Sequence, residues 1–150
     1  MSWIGHFDGA CEPYNPGGWG GWGFAIWDPS ATEIASGYGV LEKGRGMTNN
    51  VAEYTAALEC VRRWIALAIA GPIVVRGDSK LVIEQMSGRW KVKAGAYVAV
   101  YRELCVLRCD SGTRSGGTRA RVPAALGHAF RRIWAPIPGH SGTDSGRTRA

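Results

Sequence analysis

The sequence has no long apolar run. Among its 150 residues, no segment reaches the roughly 18 continuous apolar residues that a transmembrane helix requires. The N-terminus also lacks a basic stretch followed by an apolar core, which is the pattern of a secretory signal. We therefore expect no membrane segment and no secretion signal, and we expect the protein to be cytoplasmic.

Cysteine is scarce, and its spacing carries no signature. The four cysteines are Cys11, Cys60, Cys105 and Cys109, and their separations match no zinc-binding pattern. A disulfide framework is typical of small secreted proteins rather than cytosolic ones. We expect reduced thiols, and whether Cys105 and Cys109 ever pair stays open.

Acidic residues are outnumbered throughout and nearly vanish towards the C-terminus. The chain has 18 lysines and arginines against 12 acids, a net charge of +6 and a pI near 9.5. From residue 110 onward the only acids are Asp110 and Asp144, against seven arginines. A basic balance favours polyanionic partners such as nucleic acid, although charge alone indicates only steering and non-specific binding.

Hydrophobic periodicity predicts one α/β domain over 1–150, with 110–150 atypical in composition. Pro136 confines the last of the predicted strands to the edge of the sheet or to its own end. The predicted strands are 2–8, 20–27, 32–41, 73–77 and 130–137, and the predicted helices are 50–69, 79–86 and 96–109. The first three strands read as an antiparallel meander, so we expect a five-stranded mixed sheet flanked by helices.

Three acids stand where strands end or a helix begins. Asp8 and Asp78 each close an apolar run, and Glu53 lies at the start of the long helical pattern. Each has a purely structural alternative: a turn at Asp8-Gly9, a capping box between Asn50 and Glu53, and a helix N-cap at Asp78. Together they can converge at the carboxyl edge of a sheet. Oxygen ligands of this kind suit Mg²⁺, which indicates phosphoryl chemistry on a nucleic acid.

The order and spacing of three motifs resemble the ribonuclease H family of type 1, from residue 3 to about residue 107. Three motifs in the right order are far more specific than any one of them. They are Asp8-Gly9-Ala10-Cys11 followed by Asn15-Pro16-Gly17, Thr48-Asn49-Asn50-Val51-Ala52-Glu53, and Asp78-Ser79 at the end of a strand.

The resemblance implies a ribonuclease H-like fold and an endonuclease that hydrolyses the RNA strand of RNA–DNA hybrids, leaving 5′-phosphate ends. It implies two divalent cations, Mg²⁺ or Mn²⁺, acting in an in-line displacement. Asp8 would bridge both ions, Glu53 would hold one and orient the phosphodiester, and Asp78 would help to hold the other. The expected partner is the hybrid, and the expected oligomeric state is a monomer.

The resemblance also assigns residues to the two strands of the substrate. Telling RNA from DNA requires contacts to the 2′-hydroxyl, and asparagine offers both a donor and an acceptor for it. These contacts fall on the Cys11 backbone, Asn15, Asn49 and Asn50. The resemblance implies that the DNA strand is bound by Thr48, Lys80, Trp90, Lys91 and Lys93. Lys80 stands where the family often has glutamine, and Trp90 is flanked by basic residues.

The C-terminal part matches the family only in part. Pro138-Gly139-His140-Ser141-Gly142 resembles the family's loop whose histidine assists proton transfer and product release, which makes His140 a candidate catalytic residue. The following family motif, which supplies a fourth metal carboxylate, is absent. Three explanations stay open: the chain ends before that acid, Asp144 replaces it, or the region from 110 is scrambled, for example by a shifted reading frame.

Two other functions compete with hybrid cleavage. One is a catalytically weak or inactive nucleic-acid-binding module of the same fold, against which the retained acids speak, since clustered negative charge opposes phosphate binding. The other is a resolvase or transposase of the same broad fold. The segment 48–50 and the absence of additional DNA-binding domains speak against that class.

Overall fold

A mixed five-stranded sheet organises the chain. The computed structural model describes residues 2–69, 71–109 and 134–138. The strands are β1 (Trp3–Glu12), β2 (Trp19–Trp27), β3 (Glu33–Leu41), β4 (Ile73–Gly77) and β5 (Trp134–Pro136), in the order β3-β2-β1-β4-β5. β1, β2 and β3 pair antiparallel, while β4 is parallel to β1 and β5 is parallel to β4. The predicted mixed sheet with an antiparallel first half is confirmed.

Three helices complete the described fold: α1 (Asn49–Ala66), α2 (Lys80–Met86) and α3 (Val98–Cys109). α1 packs on the sheet through a buried face in which small side chains alternate with large ones. This face comprises Ala52, Glu53, Tyr54, Ala56, Ala57, Leu58, Cys60, Val61 and Trp64. All of these except Glu53 are apolar or aromatic, so the burial of that one carboxylate needs a functional explanation.

β1 is longer than its apolar run predicts. Phe7, Gly9 and Cys11 are buried while Asp8 and Ala10 are exposed, which is the two-residue alternation of a strand. The strand continues to Glu12 because β2 pairs with it along this whole length. Asp8 therefore lies inside a strand, and both the predicted strand end at residue 8 and the alternative of a turn at Asp8-Gly9 are wrong.

β4 brings its acid alongside β1. His6 is the register partner of Arg76, so Asp78, which follows the last residue of β4, emerges next to Asp8. The approach is tight, because a Cβ at Gly77 would stand 2.3 Å from the ring of Phe7. Glycine at this position lets the end of β4 close onto β1.

The structure also tests the predictions for Pro136, the cysteines and membrane helices. Pro136 is the last residue of β5, which ends the sheet order, as its missing amide donor requires. The thiols of Cys11, Cys60 and Cys105 are free. Within the described ranges no helix combines the length and the apolar character needed to cross a membrane. Residues 130–133 of the last predicted strand lie outside the described residues.

Candidate active site

Asp8, Glu53 and Asp78 meet at one point. Their nearest carboxylate oxygens all lie within 4.8 Å of one another, although β1, α1 and the end of β4 are far apart in the chain. The sheet topology expected from the sequence brings the two aspartates together, and α1 supplies the glutamate. Three oxygen donors at this separation are what a hard divalent cation takes from a protein.

Two glycines, Gly9 and Gly23, leave space beside the acidic residues. Gly23 of β2 is the register partner of Asp8, so the position directly opposite this carboxylate on β2 carries no side chain. Gly9 lies against α1, where a Cβ would stand 2.4 Å from the carbonyl carbon of Ala52 and from the amide nitrogen of Glu53. The helix can therefore come close enough to β1 for Glu53 to reach Asp8.

The three carboxylates repel one another, and Glu53 is buried from water. Burial first, then the charges of Asp78 and Asp8, raise the pKa of Glu53 to about 9, against the opposing effect of a hydrogen bond from the Gly9 amide. Burial and the charge of Asp78 also raise the pKa of Asp8, which the Gly9 amide again opposes. Both shifts have the same cause, namely negative charge that is poorly solvated and uncompensated.

The helix caps are not made by the acids. Thr48 caps α1, its hydroxyl accepting a hydrogen bond from the Val51 amide at 3.2 Å, so the capping box suggested for Asn50 and Glu53 is wrong. Ser79, rather than Asp78, caps α2 through the amide of Val82. Neither Glu53 nor Asp78 is used as a cap, which leaves both carboxylates available at the cluster.

The residues expected to read RNA lie at the end of β1 (Cys11), in the loop that follows it (Asn15) and at the start of α1 (Asn49 and Asn50). Asn15 accepts a hydrogen bond from the Asn49 amide at 3.1 Å, and the Gly17 amide donates to the Met47 carbonyl at 2.8 Å. The thiol of Cys11 is turned inward onto the Tyr14 carbonyl at 3.0 Å, which leaves its backbone as the only part suited to a substrate contact. Asn15 and Asn50 are exposed.

Four of the five residues expected to bind DNA lie in α2 or in the segment that follows it, whereas Thr48 caps α1. The ammonium group of Lys80 lies 5.6 Å from the ring centroid of Trp90, which is 43% exposed. Lys91 and Lys93, which follow Trp90 in the chain, are exposed. Arg89, in contrast, is bound by Glu84, with Nε 2.5 Å from Oε2 and the second hydrogen bond at 3.0 Å, so the lysines carry the available positive charge.

Sequence reasoning did not single out Gln85, although it shares with Glu53 the distinction of being a buried polar side chain in the described core. The signal was present, since Gln85 interrupts the apolar face of α2 between Val82 and Met86. A buried amide requires hydrogen-bond partners, and those partners come from segments that only the fold brings near.

A cavity of about 410 Å³ opens beside the acids, lined by Asp8 and Asp78 and also by His6, Gly23 and Ala25. It gives Asp8 and Asp78 direct access from outside, whereas Glu53 is buried. His140 and Asp144 lie outside the described residues, so their expected places near the acids stay predictions.

Comparison with known proteins identifies relatives. Residues 6–107 match the reverse transcriptase-like family. The bifunctional protein Rv2228c of Mycobacterium tuberculosis is 40% identical over 88 residues, which are 58% of this chain and 23% of that protein. This chain therefore spans about a quarter of the length of the curated relatives that it matches.

Solved structures share the fold. The N-terminal RNase H domain of Rv2228c, from Mycobacterium tuberculosis, is 30% identical with a TM-score of 0.67, covering 95% of this chain and 86% of that chain. LC11-RNase H1 in complex with an RNA/DNA hybrid is 23% identical with a TM-score of 0.71, covering 94% and 88%. RNase H1 from the halophilic archaeon Halobacterium salinarum is 25% identical with a TM-score of 0.60, covering 71% and 76%.

Proposed function

The chain belongs to the reverse transcriptase-like family and has the ribonuclease H fold, and we propose that it cleaves the RNA strand of RNA–DNA hybrids with divalent cations. The observation that carries this proposal is the meeting of Asp8, Glu53 and Asp78 within 4.8 Å. Such a cluster of carboxylates is unfavourable without a positive counter-charge. A bound divalent cation would supply that charge.

The cluster has the chemistry that a Mg²⁺ or Mn²⁺ ion needs. One carboxylate oxygen of Glu53, Oε2, is buried with no hydrogen-bond partner among the described residues, although buried polar atoms are nearly always paired. A cation held by Asp8, Glu53 and Asp78 would satisfy that oxygen and remove the repulsion. Two bound ions would supply activation of the attacking water and stabilisation of the leaving 3′ oxygen.

The protein's own groups would place the hybrid. Asn15 and Asn49, with the Cys11 backbone and Asn50, would contact 2′-hydroxyls, because the loop that carries Asn15 is hydrogen-bonded to the start of α1, where Asn49 and Asn50 lie. Thr48, Lys80, Trp90, Lys91 and Lys93 would take the DNA strand. The Thr48 hydroxyl accepts from the Val51 amide, so its own proton is directed elsewhere and suits a phosphate oxygen.

A cleavage assay tests the proposal. It compares a hybrid, a DNA duplex and an RNA duplex of one sequence, each incubated with Mg²⁺, with Mn²⁺ or with EDTA. We expect metal-dependent cleavage of the hybrid's RNA strand alone, with 5′-phosphate ends, and loss of cleavage in Asp8→Asn. Binding of the hybrid without cleavage would support the inactive module instead. Cleavage of the DNA duplex would support another nuclease class.

The same assay tests the two candidates near the C-terminus. We propose that Asp144 supplies a fourth carboxylate and that His140 assists proton transfer. Asp144→Asn should then slow the Mg²⁺ reaction more than the Mn²⁺ reaction, and His140→Ala should lower kcat while KM stays unchanged. Rates that match the parent protein would remove the substituted residue from the site.

A further inference from the structure

A buried side-chain network connects α1 with the segment 91–93. The hydroxyl of Tyr54 donates to Gln85 Oε1 at 2.6 Å. Gln85 Nε2 donates to the Lys91 carbonyl at 3.2 Å and to the Tyr97 hydroxyl at 3.1 Å. The Tyr97 hydroxyl in turn lies 3.4 Å from the Lys93 carbonyl. The network therefore reaches the backbone of two lysines that are exposed at the surface.

The orientation of the Gln85 amide follows from its partners. The Lys91 carbonyl can only accept a hydrogen bond, so the amide NH₂ must face it. Both protons of that NH₂ are then used, on Lys91 and on Tyr97, while Oε1 accepts from Tyr54. The amide is satisfied in this one arrangement, and its contacts specify where the backbone of Lys91 lies.

Packing alone does not explain a glutamine here. Gln85 is 4% exposed and Tyr54 is fully buried, and an apolar side chain would avoid the desolvation of an amide. Tyr54 and Tyr97 also stack, with ring centroids 5.3 Å apart and planes at 4°, which fixes the hydroxyls that Gln85 uses. Gln85 and Tyr97 are thus both joined to α1 through Tyr54, by a hydrogen bond and by ring stacking.

The segment that the network contacts carries two exposed lysines. Residues 89–96, between α2 and α3, form neither helix nor strand, and Lys91 and Lys93 are exposed there. The amides of Arg89 and Trp90 both donate to the Glu84 carbonyl, at 2.9 and 3.1 Å, so the first half of the segment is fixed locally. In the second half, Gln85 contacts the carbonyl of Lys91 and Tyr97 contacts that of Lys93.

We propose that Gln85 is a positioning residue for nucleic-acid binding: it fixes the backbone of Lys91 and, through Tyr97, that of Lys93. This inference rests on the proposed function. Tyr54 directly follows Glu53 in α1, so one helix places both the acid cluster and the lysine-bearing segment. The backbone of Lys91 and Lys93 is thereby held in a set place relative to the carboxylates, which lowers the ordering cost of binding a rigid duplex.

Gln85→Met tests this directly, because it keeps most of the volume and removes every hydrogen bond of the amide. We expect KM for the hybrid to rise about five- to tenfold while kcat stays within about twofold, and we expect a shallower dependence of log KM on log salt, since fewer phosphates are neutralised in register. Ser87→Ala is the matched control. It removes a side-chain hydrogen bond of α2, to the Ile83 carbonyl at 2.6 Å, which does not reach 91–93.

A merely structural role gives a different result. If Gln85 only stabilises the fold, Gln85→Met lowers the active fraction and hence kcat, while KM and the salt dependence match those of the parent protein. That outcome overturns the proposal. Should Gln85→Met fail to fold, Tyr97→Phe removes the hydroxyl that serves both Gln85 and Lys93 and is expected to show the same KM effect, and an unchanged KM there overturns the proposal equally.

Binding without catalysis separates this inference from the proposed function. In an Asp8→Asn background with EDTA, the hybrid's Kd measured by fluorescence anisotropy should rise about five- to tenfold on Gln85→Met, as KM does. Equal Kd values overturn the role of Gln85, whatever the parent protein cleaves. If the parent protein cleaves no hybrid but Gln85→Met still weakens binding, the proposed activity fails and the positioning role stands.

Discussion

Gly9 of β1 lies directly against the backbone of Glu53 in α1. A Cβ at residue 9 would stand 2.4 Å from the Glu53 amide nitrogen and 2.7 Å from the Ala52 carbonyl oxygen, both closer than van der Waals contact allows. The Gly9 amide also lowers the pKa of Asp8 and of Glu53, against the effect of burial and of the neighbouring charges. The distance between strand and helix, and with it the acid cluster, therefore depends on a glycine.

Gly9→Ala should damage both the fold and the site. The added methyl group meets backbone atoms, which cannot rotate away, so α1 must shift and carry Glu53 from Asp8. We expect a loss of about 1–3 kcal/mol in the free energy of unfolding, as for an overpacked core, measured by urea denaturation. Metal-dependent activity should fall even at temperatures where the variant is folded.

Gly21→Ala is the control for that variant. Gly21 lies in β2, and a Cβ there meets nothing within 4 Å, so stability and activity should stay close to those of the parent protein. Equal losses in both variants would show that glycine in this hairpin matters for strand conformation rather than for the approach of α1.

Divalent cations should stabilise the folded protein, and Asp78→Asn should weaken that effect. Ligands that bind only the folded state raise its stability, and Mg²⁺ is expected to add about 1–3 kcal/mol near saturation. With EDTA, Asp78→Asn should instead be more stable than the parent, because one repelling charge is gone. Thermal unfolding of both proteins in Mg²⁺ and in EDTA measures this reversal in their order of stability. If Mg²⁺ stabilises both proteins equally, the result argues against an ion at this cluster.

Stability without metal should fall as the pH rises. The pKa of Glu53 is raised from its ordinary value of 4.5 to about 9 in the folded state, so between these values the folded protein binds a proton that the unfolded chain does not. The free energy of unfolding then decreases with pH, by up to about 1.4 kcal/mol per pH unit for one full proton. The raised pKa of Asp8 adds to the effect with the same sign.

Urea denaturation in EDTA across pH 4.5 to about 9 measures this slope. Glu53→Gln should flatten it, because no carboxylate is left to take up the proton. Mg²⁺ should also flatten or reverse it, since a cation competes with the proton for the same oxygens. A slope that survives Glu53→Gln would place the proton elsewhere.

Thr48→Ala should cost about 1 kcal/mol of stability, the usual loss when a helix N-cap hydroxyl is removed. The hydroxyl accepts from the Val51 amide, and Thr48→Ser retains that acceptor, so serine should restore most of the stability in urea denaturation. If Thr48 also contacts the DNA strand, Thr48→Ala raises KM beyond what its stability explains, and serine restores KM as well.

Trp90→Ala should weaken hybrid binding, because it removes the ring on which Lys80 lies and the aromatic surface beside Lys91. Loss of one aromatic contact to a nucleic acid typically costs about 1–3 kcal/mol, which the Kd of the hybrid measures. Trp19→Ala is the matched control, since Trp19 lies on β2, is 50% exposed and carries Lys43 at 5.7 Å from its ring. Equal effects would place the DNA strand elsewhere.

Local pattern was enough to predict most elements and their order. The two-residue alternation of the strands and the apolar steps of 50–69 depend on which side chains face a core, and that information is written in neighbouring residues. Boundaries were less accurate: β1 was expected to end at residue 8 and reaches Glu12, because its pairing with β2 is a contact between segments that no local pattern contains.

The convergence of the acids was also expected, since strand order at a sheet edge follows from topology. Their environment was not. Whether Glu53 caps its helix or lies buried beside Asp8 depends on how closely α1 approaches Gly9, and the role of Gln85 depends on where Tyr54, Tyr97 and Lys91 come to lie. Burial, pKa and hydrogen-bond satisfaction are properties of what packs around a group, so they arise only when distant parts of the chain are brought together.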